Sequence, residues 1–217
     1  ILELRRSSRS DLYDLFQDPP ATLIPRHRRF EITERIDAQG DVVTPLADTE
    51  IDDLVEEIKS LDVDAVAVSL LFSFLNDTHE KVLGERLRAA LPDVSIFLSS
   101  EVLPEIREFE RTSTTAVCAY VGPILDSYLS RLEEAVGSLD LPGLHVMGSA
   151  GGVVDVAEAL QMPAAVVESG PAAGVIAAAL VGNQINKNNL LSFDMGGTTA
   201  KAALIRDGHI ETTAEYE

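Results

Sequence analysis

The sequence predicts an α/β fold, in which strands and helices alternate along the chain. Two observations indicate this class. Residues 65–72 form an almost continuous apolar run, typical of a central parallel strand that is covered on both faces. Segments with helical periodicity stand on both sides of this run, and a further apolar strand follows at 94–98. This β-α-β-α-β order favours a layer with right-handed crossovers.

The first predicted elements are a hairpin and a helix. Residues 28–36 alternate between apolar and polar side chains, as a half-buried strand does, and residues 37–40 carry turn chemistry. Residues 41–44 then return as the hairpin partner. A helix is predicted over 48–61, because its apolar residues recur on one face. These residues are Ile51, Leu54, Val55 and Ile58.

A second helix is predicted to follow the apolar run, from Asp77 to Ala90. Asp77 and Glu80 have the spacing of a capping box, in which the first residue caps the helix and the carboxylate of the fourth reaches back. Pro92 ends this helix, and the strand at 94–98 comes next.

Residues 104–136 predict a long helix with one buried apolar stripe. The stripe consists of Val117, Tyr120, Val121, Ile124, Leu125, Tyr128, Leu129 and Leu132. Pro123 removes a backbone donor and crowds the preceding turn, so we expect a kink or a break there. Cys118 lies in the same apolar region and is interpreted as a core residue rather than a nucleophile.

The last third of the sequence predicts shorter elements. A strand at 144–148 and a helix at 156–160 precede an alanine-rich helix that runs to about Val181, with Pro171 at its first helical position. Residues 183–189 form a polar loop. Two apolar strands, at 190–195 and 202–205, then surround a Gly-Gly-Thr-Thr turn, and Asp207-Gly208 signals a further hairpin.

Composition and charge exclude several classes of function. The formal net charge is −19 over 217 residues, which argues against nucleic-acid binding and against adhesion to an anionic membrane. No apolar run approaches the ~18 residues that a membrane span needs. One cysteine allows no internal disulfide and fits a reducing compartment such as the cytoplasm. The four histidines are scattered, so a zinc site is not expected.

The turn at 194–199 is the strongest candidate site. Asp194 ends an apolar strand, and Gly196 and Gly197 let backbone N–H groups approach an anion. Thr198 and Thr199 add hydroxyl donors, and the carboxylate of Asp194 can hold a metal ion or a water. Two other glycine-rich turns, at 148–152 and 169–174, stand nearby in sequence. Each alone is typical of a tight connection, but their co-occurrence favours a phosphate or other anion site.

A dense polar segment at 105–115 has two interpretations. Glu108, Arg111 and Thr115 lie at helical spacing, which favours a solvated helix face held by ion pairs. The alternative is an interdomain or substrate-facing surface, on which Glu110 and Arg111 matter for structure or lie near a substrate.

Five ordered segments together resemble one family. They are residues 99–115, 119–123 (Ala-Tyr-Val-Gly-Pro), 147–152 (Met-Gly-Ser-Ala-Gly-Gly), 168–174 (Glu-Ser-Gly-Pro-Ala-Ala-Gly) and 193–199 (Phe-Asp-Met-Gly-Gly-Thr-Thr). The sequence is similar to the hydantoinase A/5-oxoprolinase family, which includes N-methylhydantoinase subunits and ATP-dependent ketone carboxylases. The resemblance covers the chain from about Arg28 to Glu217.

The resemblance implies a fold and a set of binding residues. The family is similar to the acetate kinase, sugar kinase, Hsp70 and actin superfamily, in which two RNase H-like halves close on ATP. Residues 1–185 would be the later part of the first half, with an inserted α/β segment, and residues 186–217 the first hairpin of the second. A phosphate loop with Mg²⁺ on Asp194 would then consist of Asp194, Gly196, Gly197, Thr198, Thr199 and Lys201.

The resemblance also implies an activity. The expected parent enzyme hydrolyses a cyclic amide with ATP, after phosphorylation activates the amide. Alternatives are a subunit of an ATP-dependent ketone carboxylase, a small-molecule kinase of the same superfamily, or a noncatalytic α/β binding domain. The expected partners are a cyclic amide or ketone substrate and a second subunit of the hydantoinase B type. No catalytic residue is assigned.

Two positions depart from the family pattern. Lys201 stands where many members have an aspartate, and Cys118 stands where an asparagine is frequent. A cation cannot ligate magnesium, although it can reach a phosphate oxygen as a flexible point charge. The first residue is Ile1 and the chain ends soon after a hairpin, so we expect an internal piece of a longer polypeptide with little ATP turnover alone.

Overall fold

A computed structural model of the chain describes residues 1–3, 13–14, 16, 21–139, 141 and 143–211. The chain divides into two compact units, Ile1–Arg131 and Leu132–Glu217. Each unit combines helices with small sheets, so the α/β class is confirmed. The predicted division after residue 185 derives from the family resemblance and stays a prediction. The last residues of the predicted second part, 212–217, lie outside the described part of the chain.

The first unit begins with a hairpin and contains a parallel β-α-β layer. Its elements are a 3₁₀ turn (Arg26–Arg28), β1 (Arg35–Ile36), β2 (Val42–Thr44), α1 (Asp48–Lys59), β3 (Ala65–Val68), α2 (Thr78–Ala90), β4 (Ser95–Leu98), α3 (Ser99–Val102) and most of α4 (Glu108–Ser138). The hairpin and all three major helices were predicted. The first strand is much shorter than predicted, because Phe30 and Ile32 pack against the core in a segment that pairs with no strand among the described residues.

The core of the first unit lies between the parallel strands and their two helices. β3 and β4 pair in register, with Ala65 opposite Ser95 and Val68 opposite Leu98. α2 packs on both strands, and α1 packs on α2 and adds its apolar face to the same core. The core side chains are Ile51, Val55, Ile58, Val68, Leu83, Leu87, Leu91, Ile96 and Leu98. Burying such aliphatic side chains is the main stabilising contribution, at about 1.5–3 kcal/mol each.

The prediction of a long central strand at 65–72 was wrong in two respects. β3 ends at Val68 and pairs only with β4 in the described residues. Phe72 has a φ of 58°, which turns the chain back, and its carbonyl accepts the N–H groups of Leu75 and Asn76 at 2.9 and 3.0 Å. The apolar residues after Val68 therefore build a folded loop, which periodicity alone does not distinguish from a strand.

α2 begins where the sequence predicts, but the capping box does not form. Asp77 is the N-cap residue, and its side chain makes no capping hydrogen bond. Glu80 is fully buried, and its carboxylate bonds to groups outside the helix. Tertiary contacts have therefore replaced the local interaction that the spacing indicates.

α4 runs from Glu108 to Ser138 without a break at Pro123. The predicted buried stripe was largely wrong, since Tyr120, Ile124 and Tyr128 are 65%, 73% and 55% exposed. The buried face consists of Arg111, Thr115, Ala116, Cys118, Ala119, Gly122 and Leu129. Small residues on this face let the helix backbone approach β4, and a Cβ at position 122 would lie 2.5 Å from the Phe97 ring. The prediction that Cys118 is a core residue is confirmed.

The second unit packs one long helix against antiparallel strands. Its elements are β5 (His145–Met147), β6 (Val153–Asp155), α5 (Val156–Gln161), a 3₁₀ turn (Pro163–Val166), α6 (Ser169–Gln184), β7 (Leu190–Met195), β8 (Ala200–Arg206) and β9 (His209–Ile210). The predictions missed β6, which pairs with β5. α6 begins at Ser169, so Pro171 is its third residue rather than its first. Proline is tolerated in the first helical turn, because the N–H groups of that turn have no partner within the helix.

The strands at the end of this unit form one sheet in the order β7-β8-β9. The predicted Asp207-Gly208 hairpin is confirmed, with both residues at positive φ, as a tight turn of this kind needs. Among the helices of the described residues, none combines the length and the hydropathy that a membrane crossing requires.

Candidate functional site

The Gly-Gly-Thr-Thr turn joins two antiparallel strands of the second unit. β7 delivers Asp194 to the turn, and β8 carries Lys201 away from it, with the two residues directly opposite each other. The N–H of Gly196 donates to the carbonyl of Thr199 at 2.9 Å and closes the turn. The strands on both sides were predicted, and the structure lengthens the second to Ala200–Arg206.

The turn is open to its surroundings. Asp194 and all four turn residues are exposed. Neither glycine has a positive φ, and a Cβ added at Gly197 would meet nothing within 4 Å. Backbone conformation and packing therefore do not require glycine at position 197. A ligand that approaches the backbone closely is a remaining reason for a residue without a side chain there.

The structure brings the three glycine-rich turns together around Glu168. Ser149, from the first turn, accepts the N–H of Glu168 on its Oγ at 3.0 Å. Glu168 is the N-cap residue of α6, which begins with the second turn. Its carboxylate contacts Nζ of Lys201, two residues after the third turn. The sequence indicated only that these turns co-occur, whereas the structure connects them through one residue.

The ion pair between Lys201 and Glu168 partly neutralises the positive charge beside the turn. Both partners are partly exposed, at 38% for the Lys201 side chain and 44% for that of Glu168. The cation is thus shared with a carboxylate, so its charge is not fully available for a phosphate. Its predicted contact with a nucleotide stays a prediction, as do those of Asp194 and of the four turn residues.

The donor set fits one kind of metal ion. No cluster of three or more histidine, cysteine, aspartate or glutamate side chains that could hold a metal occurs in the described residues. Mg²⁺, however, commonly takes only one or two carboxylates and completes its octahedron with waters and phosphate oxygens. A lone exposed carboxylate at Asp194, beside an open turn, is compatible with that mode of binding.

A second polar cluster lies in the first unit, at the carboxyl ends of β3 and β4. Arg111 is fully buried, so the interpretation of this segment as a solvated face was wrong for Arg111 and for Thr115. The guanidinium donates from Nε to Ser99 Oγ at 3.1 Å, and from its two terminal nitrogens to the carbonyls of Glu105 and Leu70 at 2.8 and 2.7 Å. Burial lowers the pKa of Arg111, and the nearby carboxylates of Glu80 and Glu108 oppose this shift.

Glu80 completes the cluster, and sequence reasoning missed its role. Its carboxylate accepts the N–H of Leu70 and that of Ser100, each at 2.8 Å, and the hydroxyl of Ser99 at 2.6 Å. Ser99 therefore bridges a buried carboxylate and a buried guanidinium. Because Leu70 follows β3 and Ser99 follows β4, the cluster ties together the carboxyl ends of both strands. Nothing local in the sequence signals this pairing.

The chain is similar in sequence, over most of its own length, to parts of longer proteins. An uncharacterised protein of Methanocaldococcus jannaschii is 42% identical over the whole chain. The alpha subunit of a caprolactamase from Pseudomonas jessenii is 33% identical over 95% of the chain. The chain spans 32% and 30% of the lengths of these two relatives.

Two solved structures resemble the fold. A nucleotide-free acetone carboxylase superposes with a TM-score of 0.79 at 27% identity, over 88% of this chain and 27% of the other. An ATP-dependent caprolactamase from Pseudomonas jessenii superposes with a TM-score of 0.76 at 34% identity, over 88% of this chain and 28% of the other.

The family models agree with the sequence resemblance. The model of the hydantoinase/oxoprolinase N-terminal region matches residues 1–91, and the hydantoinase/oxoprolinase model matches residues 111–217. The two matches together cover most of the chain, and four of the five segments that carry the resemblance lie within the second match. The chain belongs to the hydantoinase/oxoprolinase family.

Proposed function

We propose that this chain is part of an ATP-dependent enzyme that hydrolyses a cyclic amide. The observation that carries the proposal is the arrangement around Glu168, which connects three glycine-rich turns and leaves the turn at 196–199 open. Family membership and the similarity to an ATP-dependent caprolactamase support the same activity. Bound ATP would supply a phosphoryl group to the amide oxygen, which makes the ring carbonyl carbon a better electrophile for water.

The residues of the second unit have distinct roles in this proposal. Backbone N–H groups at Gly196 and Gly197 would face the phosphates, and the hydroxyls of Thr198 and Thr199 would donate to phosphate oxygens. The carboxylate of Asp194 would hold Mg²⁺, which neutralises phosphate charge. Such chemistry depends on positioning and charge neutralisation more than on a protein nucleophile, so no catalytic residue is assigned within the chain.

Lys201 would act through Glu168 as well as through its own charge. The ion pair holds the N-cap residue of α6 against the strand that leaves the turn. The family pattern has an aspartate at this position in many members, so we infer that this chain positions its turn with a cation where others use a carboxylate. Lys201 would then reach a phosphate only by exchanging its contact with Glu168.

The architecture of the whole enzyme is also part of the proposal. We infer an RNase H-like ATPase of two halves, with residues 1–185 in the first half and 186–217 opening the second. A second subunit of the hydantoinase B type is the expected partner, and the name of the caprolactamase alpha subunit supports a multi-subunit enzyme. We infer a cytoplasmic location, which the single cysteine of the sequence and the proposed use of ATP support.

A ketone carboxylase subunit is the second candidate. The observation that favours it is the similarity to acetone carboxylase, whose structure superposes with a TM-score of 0.79. Both reactions would use the same turn, since each begins by transfer of a phosphoryl group to an oxygen of the substrate or co-substrate. The turn at 194–199 therefore does not distinguish them, whereas the substrate does.

The test is an assay of the protein with its second subunit. MgATP is combined either with caprolactam, hydantoin or 5-oxoproline, or with acetone and bicarbonate, and ADP and organic products are measured. Ring-opened acid formed in step with ADP is the expected result. ADP release that depends on acetone and bicarbonate alone would overturn the hydrolase and favour the carboxylase.

A matched pair of variants tests the turn itself. Gly197→Ala places a methyl group in open space, so folding should be unchanged while the KM for ATP rises or kcat falls. The control is Gly137→Ala, because a Cβ added at that position also meets nothing within 4 Å. Gly143→Ala is unsuitable, because the φ of Gly143 is 130° and an alanine there would be strained. Equal ATP kinetics for both variants would contradict a phosphate-binding role of this turn.

A further inference from the structure

A polar cleft of about 370 Å³ lies in the first unit, at the carboxyl edge of the parallel strands. Its walls come from three places in the chain. The loop at 73–77 follows β3, Ser100 and Pro104 follow β4, and Gln39 and Gly40 form the turn of the β1–β2 hairpin. Ligands of open α/β layers bind outside the carboxyl ends of parallel strands, because loops from neighbouring strands diverge there.

Hydrogen bonds hold the loop wall in place. The left-handed backbone of Phe72 folds the loop, and its carbonyl accepts two N–H groups from residues 75 and 76. Asn76 Nδ2 then donates to the carbonyl of Gly40 at 2.8 Å, which fastens this loop to the hairpin turn. A bulky residue with positive φ costs about 1–3 kcal/mol, a cost that persists only where the surroundings enforce it. The cleft is therefore a built feature rather than a gap between loose loops.

The floor of the cleft rests on the buried Glu80 cluster. Ser73 Oγ lies 3.1 Å from Ser99 Oγ, and Ser99 Oγ donates to Glu80. The N–H of Ser100 donates to the other oxygen of the same carboxylate. Two consecutive serines after β4 are thus fixed by one buried charge. We infer that the cluster positions the residues that line the cleft.

Ser100 differs from its neighbours in one respect. Its Oγ is buried and has no hydrogen-bond partner within the part of the chain that the structure describes. Leaving a buried hydroxyl without a partner costs about 1–3 kcal/mol. A serine side chain turns about one torsion with three staggered positions, so this hydroxyl can be directed at a ligand in the cleft.

The charges around the cleft select the kind of ligand. Asp77 is the charged residue of its lining, and its carboxylate is paired with Lys81 at 2.7 Å. Among the described residues, no lysine or arginine lines the cleft, so a phosphate or a free carboxylate would find no counter-charge there. The lining is mainly polar, and Phe74, Leu75 and Pro104 add a smaller apolar surface beside the serine and amide groups. This combination fits a small neutral molecule with a hydrogen-bond acceptor and an apolar ring or chain.

We propose that this cleft binds the neutral amide substrate, with the hydroxyl of Ser100 donating to the amide carbonyl. The preference for a neutral polar ligand rests on the lining alone, whereas the choice of a cyclic amide rests on the proposed function. Ser100 would then be a specificity-determining contact, and Asn76 a further donor or acceptor at the rim.

The experiment is a titration of the ¹⁵N-labelled chain with caprolactam, followed by NMR. The amide resonances of residues 39–40, 73–77 and 100 are expected to shift with a Kd on the order of 1–10 mM, as for a small ligand with few contacts. Ser100→Ala should weaken binding about three- to tenfold, the effect of one hydrogen bond. Because the hydroxyl has no partner in the described part of the chain, removing it relieves an unsatisfied buried group, and this variant should melt at or above the wild-type temperature.

Matched probes and a matched variant make the result decisive. Ser138→Ala removes a hydroxyl at the exposed end of α4 and should leave the affinity unchanged. Inorganic phosphate should cause no shifts in the cleft. The proposal is overturned if caprolactam shifts none of these resonances, if Ser100→Ala binds as tightly as the wild type, or if phosphate binds there instead.

The outcome is independent of the proposed function. The titration needs neither ATP nor a second subunit, so amide binding without ATP-dependent hydrolysis would support the cleft and reject the hydrolase. ATP-dependent hydrolysis without shifts in the cleft would reject only the cleft.

Discussion

Lys201 and Glu168 form an ion pair that connects the strand after the Gly-Gly-Thr-Thr turn to the N-cap of α6. The same Glu168 donates its backbone N–H to Ser149. One residue therefore contacts both the first glycine-rich turn and the strand that leaves the third. The relationship explains how a lysine can occupy a position near a proposed phosphate site without standing as an isolated cation.

The Lys201–Glu168 pair is expected to contribute little to stability. Both side chains are partly exposed, and exposed ion pairs contribute about 0–1 kcal/mol. A double-mutant cycle with Lys201→Met and Glu168→Gln, followed by urea unfolding, should give a coupling energy below about 1 kcal/mol. The exposed Lys59–Glu56 pair is a matched control. A coupling of several kcal/mol would show that the pair is a stabilising element rather than a positioning one.

Arg111→Met should strongly destabilise the chain. The substitution removes three hydrogen bonds of a buried guanidinium and leaves Glu80 as a buried carboxylate without a neighbouring cation. Breaking a buried charge arrangement costs about 3–5 kcal/mol, measurable as a lower urea midpoint. Arg107→Met, on the exposed side of the same segment, should change stability by less than about 0.5 kcal/mol. Similar losses for both variants would contradict the buried network.

Two glycines of α4 should respond oppositely to alanine. A Cβ at Gly122 would lie 2.5 Å from Phe97 Cζ, so Gly122→Ala forces the buried ring aside and should cost about 1–3 kcal/mol. A Cβ at Gly137 meets nothing within 4 Å, and Gly137→Ala should stabilise by about 0.4–1 kcal/mol through the unfolded state. Thermal melting of both variants checks the pair. Equal melting temperatures would mean that the helix does not approach Phe97 as described.

The amine of Lys81 should titrate above its ordinary value. The hydrogen bond that Lys81 Nζ donates to the Asp77 carboxylate raises the Lys81 pKa from 10.5, and the charge of the same carboxylate adds to this shift. A raised pKa in the folded state means that the pair contributes fully below pH 10.5 and loses its contribution as pH rises through the folded pKa. NMR titration of the Lys81 side chain should show the shift, and Asp77→Asn should abolish it. An unshifted pKa in the wild type would leave Asp77 as a free anion in the cleft.

Elements with strong local signals were predictable from the sequence. The helices over 48–59 and 78–90, the strand at 95–98 and the hairpin at Asp207-Gly208 follow from periodicity and turn chemistry, and the structure confirms them. The family was predictable too, since five ordered motifs resemble it and both family models match. Where several faces of a helix were apolar, as in α4, periodicity indicated the wrong one.

The sequence by itself determined the α/β class, the family and the order of the candidate phosphate turn within the chain. These depend on local spacing and on residue types, which are written directly in the sequence. Only the tertiary structure decided that the Glu80 carboxylate bonds to groups at the ends of two strands instead of capping its own helix. The same holds for Glu168, which contacts Ser149 of the first turn and Lys201 beyond the third. Such pairings depend on which distant groups are buried together, because a buried charge bonds to whatever polar group the fold places beside it.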